Sequence, residues 1–362
     1  MIATRSLRLP AALLAAAVLL LRPPAPTRGA PTTLRVGILR EQERVVVMSD
    51  RAIEVQAGAA SRFTLDPAAY EVVSSPAGVE ITGVGRVETP VRLVPTAGAQ
   101  LHVAIRPYRG MLEIRRTPAG RITVINELDL EEYLYGVLKM EVDPRWPSDA
   151  LRAQAVAART LALYSLNRFS VEGYDVRATT DSQVYGGVLA EDPRTTAAVE
   201  ATRGQILVFE GRPIFAAYHS DSGGHTEASE LVWGGRYAYL RAVADPYTPA
   251  QPWTLRMDLA AFEVIEVTPS GRAASVRITS ALGTVTLRGT ELRTIVGAEA
   301  LKSTLFTVRM LPDEQPSIEF TGRGSGHGVG MSQWSARGQA LLGRSYVEIL
   351  RYYYTGVSLE VR

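Results

Sequence analysis

The stretch "YLYGVLKMEVDPRWP", Tyr133 to Pro147, carries the residue type and spacing best suited to acid–base chemistry. In a helix phased from Leu130, Glu141 shares a face with Leu134 and Val137, the face that should be buried. It also falls near the helix C-terminus, where the macrodipole disfavours negative charge. Met140, Val142 and Trp146 add apolar surroundings. These effects raise a carboxyl pKa, as a general acid at neutral pH requires. The competing reading is a Glu that frays into solvent or pairs with Arg152 or Arg159. Asp143 is the nearby second carboxylate and, two residues past the helix end, is expected to point elsewhere. Arg159 lies at the edge of the next helix's apolar stripe, where spacing favours an ion pair over a grip on substrate oxygen.

"YHSDSGGHTE", Tyr218 to Glu227, contains the Asp-Ser-Gly-Gly that surrounds the nucleophile of trypsin-like proteases. That pattern needs a glycine two residues before the serine, and Ser220 stands there; it also needs a distant upstream histidine. His102 sits in a strand-like run and His219 is only three residues away, so the protease reading fails. "GRGSGHGVGMSQW", Gly322 to Trp334, matches neither phosphate-binding glycine register and reads as a turn-rich loop from which His327 projects. His219 and His225, with Glu227 and Glu230, are the donors a zinc ion would have to use. Six residues apart on a loop, the two histidines match no familiar zinc spacing, so no cofactor is expected.

The elements that must position these residues follow from periodicity. Asp129 caps a helix whose apolar positions are Leu130, Tyr133, Leu134, Val137 and Leu138, stopped by Pro144. A second helix begins after Ser148, with Leu151, Ala155, Ala158 and Ala162 on one stripe. A third runs from Asp192 as cap and Pro193 as first residue to Gly204. "QILVF" and "PIFAAYHS" read as a hairpin turning at Glu210-Gly211-Arg212. Strands return from Trp253 to Met310 with a short helix near Glu291 to Val296, and two short helices follow the glycine-rich loop. Thr33 to Val124 is strand grammar throughout. The fold class is α+β: a β-rich N-terminal region, 30–120, then a mixed helix and antiparallel-strand domain, 121–362, with a substrate groove and a β-rich insertion at about 250–312.

Residues 1–29 read as a signal peptide: Arg5 and Arg8 precede an apolar run, and Thr27 and Gly29 suit cleavage after Gly29. The protein is therefore expected to be exported to the cell envelope, with an uncleaved membrane anchor as the variant reading. The 362 residues carry a net charge of +2 and no cysteine, so neither nucleic-acid binding nor disulfide or thiolate chemistry is expected.

Together, "LDLEEYLYGVLKMEVDPRWPSDALRAQAVAARTLAL", "TTDSQVYGG", "AAYHSDSGGHTE" with "VWGG", "LRGTELRTIVG", and "GRGSGHGVGMSQWSARGQALLG" with "YYYTGV" resemble the stage II sporulation protein D family, also described as SpoIID/LytB or amidase-enhancer proteins. The motifs occur in the family's order from about Arg121 to Arg362. The resemblance implies peptidoglycan as substrate, and two activities. Some members are lytic transglycosylases on glycan strands stripped of stem peptides; others enhance an N-acetylmuramoyl-L-alanine amidase. Glu141 matches the family's catalytic glutamate. Arg159, Gln183, Tyr185, His219, Ser220 and Ser222 match other motif positions, and with His327, Ser332 and Gln333 they are expected to line the glycan groove. Ser325 stands where relatives often have an aromatic, and Trp334-Ser335 where they have Tyr-Gly, which would shift any sugar-stacking surface. Zinc in some relatives uses a cysteine that this chain lacks.

Overall fold

Asp129 opens the first helix, its carboxylate accepting the Glu131 N–H at 2.8 Å. In the computed structural model, which describes residues 32–362 except 60, 97, 249–250, 260, 281–282 and 312–316, seven α-helices appear. They are α1 (Leu130–Glu141), α2 (Ser148–Tyr164), α3 (Pro193–Ala201), α4 (Ser229–Trp233), α5 (Gly289–Val296), α6 (Gln333–Leu341) and α7 (Tyr346–Tyr353). The expected signal peptide lies outside the described residues. Asp192 caps α3 through the Arg194 N–H, with Pro193 at its first turn. No described helix is long and apolar enough to cross a membrane.

Thr33–Gln42 pairs antiparallel with Ile122–Asp129 and parallel with Val176–Arg177. These belong to a seven-stranded sheet that continues through Met111–Arg116, Val91–Pro95, Ile53–Ala57 and Ser61–Leu65. A six-stranded sheet, from Arg106–Tyr108 to Gly85–Val87, contributes Val47, Val72 and Leu101 to the same core. That core runs on across residue 121 into Tyr133, Leu134 and Val137 of α1 and Tyr185. The β-rich region thus supplies the surface on which α1 lies.

The alanines of α2 let it sit between two cores. Ala155, Ala158 and Ala162 face the first; Ala153, Val156 and Ala157 face a second, built with Leu207, Leu240, Met331 and Tyr353. Short side chains bring backbone close on both faces, and the helix also buries the polar residues Gln154, Arg159 and Thr160.

The expected hairpin forms only at its tip. Gln205–Phe209 pairs with Arg212–Pro213 through two residue pairs, and its other edge takes the last strand, Ser358–Val361. The chain then buries Ile214, Ala216 and Ala217, and Tyr218–His219 pairs parallel with Met331–Ser332 instead. The β-rich insertion has its own small core around Trp253, Val276, Leu292 and Phe320. Its middle strand, Ser317–Arg323, lies beyond residue 312, between Pro252–Met257 and Phe306–Leu311.

Candidate functional site

Helix α1 stops at Glu141 because Val142 turns to an extended conformation while its N–H still reaches the Leu138 carbonyl at 2.9 Å. The Glu141 carboxyl is left at the helix end, half-buried, accepting the Val184 N–H at 3.3 Å. Burial is the largest influence on it and raises its pKa above the ordinary 4.5, against the Val184 amide, Gln333 and Tyr218, which donate to its charged form. All three opposing groups are neutral.

The cations that the sequence offered as partners are engaged elsewhere. Arg159 is buried and grips Glu131 through Nε at 2.9 Å and Nη2 at 2.6 Å. Its remaining donors go to the Val199 and Gln205 carbonyls, both at 3.1 Å. The ion pair favoured by spacing is therefore present, with Glu131, and Arg159 does not line a groove. Arg152 stands 3.9 Å from Asp149, and Asp143 holds Arg145 at 2.6 Å.

Two tyrosines and a glutamine set the polarity around Glu141. The buried Tyr133 hydroxyl donates to Gln183 Oε1 at 3.3 Å. Gln183 Nε2 in turn donates to the Tyr218 hydroxyl at 3.0 Å and to the Ala158 carbonyl at 3.3 Å. Because Tyr218 accepts from Gln183, its own proton is available to Glu141. The order of donation is fixed by the amide, which has donors on one atom only.

Glu141, Gln183 and Tyr218 open on a cavity of about 470 Å³, which Phe215, Trp233 and His327 also line. The volume falls within the range of about 300–1,000 Å³ usual for small-ligand sites. Trp233 packs between Phe215 and His327 in tilted contacts, with ring centroids 5.5 and 4.9 Å away. His327 Nδ1 accepts the Val329 N–H at 3.1 Å, which leaves its single proton on Nε2. Burial, with Arg293 and Arg272 nearby, lowers its pKa to about 4, so the ring is neutral at pH 7. His219 is buried 5.4 Å from His327 and donates from Nδ1 to the Val329 carbonyl at 3.1 Å. Burial first, then His327 and Arg272, also holds its pKa well below the usual value.

The other expected residues do not gather at the cavity. Tyr185 is buried, its hydroxyl on Asn126 Oδ1 at 2.8 Å and its ring against Tyr133. Ser222 donates to Asp245 at 2.6 Å, and Ser332 accepts the Ser222 N–H at 3.3 Å. Asp245 also receives the Tyr353 hydroxyl at 2.8 Å, so these serines belong to a buried scaffold and not to a nucleophile. Ser220 is half-buried and its carbonyl accepts the Trp334 N–H at 3.0 Å. Gln333 reaches Glu141, and its Nε2 also lies 3.5 Å from Gln154 Oε1.

The side chains that a zinc ion would have to use are engaged with other groups. Glu227 accepts the Ala228 N–H at 2.9 Å and the Ser270 hydroxyl at 2.5 Å; Glu230 pairs with Arg241. His225 Nδ1 lies 2.6 Å from the Thr226 carbonyl. Among the described residues no three His, Asp or Glu side chains are placed to hold an ion.

Sequence reasoning did not assign Tyr218, Val184, Phe215, Trp233 or Asp245 to the site. Tyr133 was counted only as apolar, although it lies two turns before Glu141 on the same stripe. Tyr218 stood next to His219 in the quoted motif. Asp245, a single acid in a loop, offered no signal.

The insertion holds the two loops of the site. Arg272, fully buried, donates from Nη2 to the Ser222 carbonyl at 2.6 Å and the His225 carbonyl at 3.2 Å. Gly328, at φ +83°, lies so close that a Cβ there would come within 2.5 Å of Arg272 Cζ. The Gly326 N–H reaches the Lys302 carbonyl at 2.8 Å, and Trp253 Nε1 the Gly324 carbonyl at 3.1 Å.

Comparison with known proteins finds relatives of this chain. The family model described as Stage II sporulation protein matches residues 118–209, and a domain of unknown function matches 247–330. An uncharacterized protein of Brachyspira hyodysenteriae is 36% identical over 80% of this chain and 81% of its own length. The stage II sporulation protein D of Bacillus subtilis is 31% identical over 65% of this chain and 76% of its own. The amidase enhancer of Bacillus subtilis is 33% identical over 62% of this chain, a match that spans 40% of that protein's length.

Proposed function

The chain belongs to the stage II sporulation protein D family, and on that premise we propose that it is an exported lytic transglycosylase acting on peptidoglycan glycan strands. The observation that carries the reading is a carboxyl at a helix end, half-buried, with its pKa raised by burial and only neutral donors opposing the rise. Such a group keeps its proton beyond the range of a free glutamate and can give it away.

In the proposed reaction Glu141 donates its proton to the oxygen joining N-acetylmuramic acid to N-acetylglucosamine. The C1–O bond breaks and its electron pair leaves with that oxygen. The resulting carboxylate then takes the proton of the muramyl C6 hydroxyl as O6 bonds to C1. A 1,6-anhydro ring forms, no water is consumed, and Glu141 ends protonated. One carboxylate suffices because the nucleophile is part of the substrate, unlike the two-carboxylate hydrolytic scheme. Asp143, bound to Arg145, plays no part. Tyr218 and Gln333 orient the carboxyl, and neutral His327 adds no cation that would strip its proton early.

The test is digestion of stem-peptide-free glycan strands with mass spectrometry of the products. The intact protein should release anhydromuramyl ends and Glu141→Gln should release none. Equal release by the variant would overturn the assignment. The relative named amidase enhancer favours a second reading, a non-catalytic wall-binding protein that stimulates an N-acetylmuramoyl-L-alanine amidase. Under it, Glu141→Gln leaves amidase stimulation intact and neither protein releases anhydromuramyl ends.

A further inference from the structure

Besides the Tyr218 phenol, which burial keeps protonated, the cavity beside Glu141 has four ionisable side chains: Glu141, His327, Arg168 and Asp181. The first is held toward its neutral acid form and the second is neutral at pH 7. Asp181 is neutralised by Arg177, whose Nη1 lies 3.0 Å from its carboxylate. Arg168 is different. It forms no ion pair among the described residues; its Nη1 donates to the Asp181 carbonyl at 3.1 Å, and its Cζ lies 5.2 Å over the Phe169 ring. The carbonyl and the ring fix where the guanidinium sits without using its charge, and Arg168 is exposed to what enters.

We infer that Arg168 binds a carboxylate of the bound saccharide and so selects sugars carrying a free acid. The inference rests on the glycan-cleaving reading and names what its substrate must present. A guanidinium offers a planar fork to a carboxylate, and one Nη1 bond to a carbonyl leaves the rest of the fork for a ligand. The rest of the cavity is neutral and partly aromatic, which suits the uncharged body of a sugar. In a muramyl residue the matching group is the lactyl carboxyl. It is an anion when free and a neutral amide when a stem peptide is attached, so a single cation distinguishes the two. The bound anion also disfavours ionisation of Glu141, in the same direction as burial.

The experiment measures binding, not turnover, by calorimetry on the full chain carrying Glu141→Gln. The probes are a peptide-free GlcNAc–MurNAc oligosaccharide and the same oligosaccharide with its lactyl carboxyls converted to methylamides. With Arg168 present the charged probe should bind about tenfold more tightly. Arg168→Gln should abolish that difference while leaving the amide's affinity unchanged, and Arg168→Lys should restore part of it. A difference that survives in Arg168→Gln, or none with Arg168 present, overturns the inference while leaving catalysis by Glu141 untouched. Failure of both probes to bind overturns the cavity reading beneath both. Thermal melts of the Arg168 variants, expected to match their parent because the side chain is exposed, separate lost recognition from lost folding.

Discussion

Replacing Arg159 with Met separates a structural arginine from a substrate-binding one. In the native chain its guanidinium meets both oxygens of Glu131, and one of those oxygens also accepts the Gly204 N–H at 3.0 Å. Removing the cation leaves a buried carboxylate with one backbone donor, the situation that costs about 3–5 kcal/mol when one partner of a buried pair is lost. Unfolding entropy of about 2.1 cal/mol/K per residue, over 362 residues, gives about 0.76 kcal/mol/K, so the expected drop in Tm is about 4–7 °C. Glu131→Gln should lower Tm as well, and the double variant should be less destabilised than the sum of the two singles. Scanning calorimetry reads all three. Should Arg159→Met keep its Tm within about 1 °C and raise KM for glycan instead, the arginine acts on substrate and the reasoning from the buried pair is wrong.

Two further outcomes follow from the site. The raised pKa of Glu141 means that the folded chain keeps a proton which the unfolded chain loses near 4.5. The stability this contributes is full below 4.5 and is lost as pH climbs through the raised value. Melting curves across pH should therefore show Glu141→Gln gaining on the parent protein as pH rises through that window; a pH-independent difference would refute it. Gly328→Ala places a side chain at φ +83° and 2.5 Å from Arg272 Cζ. It should cost about 2–4 kcal/mol, or about 3–5 °C by the same conversion, and an unchanged Tm would show that the loop can give way.

Local periodicity revealed what local physics decides. The phase of Leu130, Tyr133, Leu134 and Val137 placed Glu141 on a buried stripe, and the caps Asp129 and Asp192 lie where side-chain and backbone chemistry put them. Long-range pairing left no trace in the pattern. Nothing in "PIFAAYHS" shows that Tyr218 and His219 will lie beside Met331 and Ser332, more than a hundred residues later. The partner of Gln205–Phe209 is likewise the end of the chain. Arg159 was legible as half of an ion pair, but choosing Glu131 over Glu141 required the crossing of α1 and α2. The buried Asp245, which ties Ser222 to Tyr353, shows the same limit, because a lone loop acid is defined only by what folds around it.

The strand Ser317–Arg323 leaves the middle of the inserted sheet and passes directly into the segment that carries His327. Lys302 and Trp253 fasten that segment, and Arg272 fastens the neighbouring loop of Ser222 and His225, so the insertion braces one side of the cavity. The two walls of the cavity therefore have separate foundations: His327 rests on the insertion, whereas the helix that ends in Glu141 packs into the core of the N-terminal sheets.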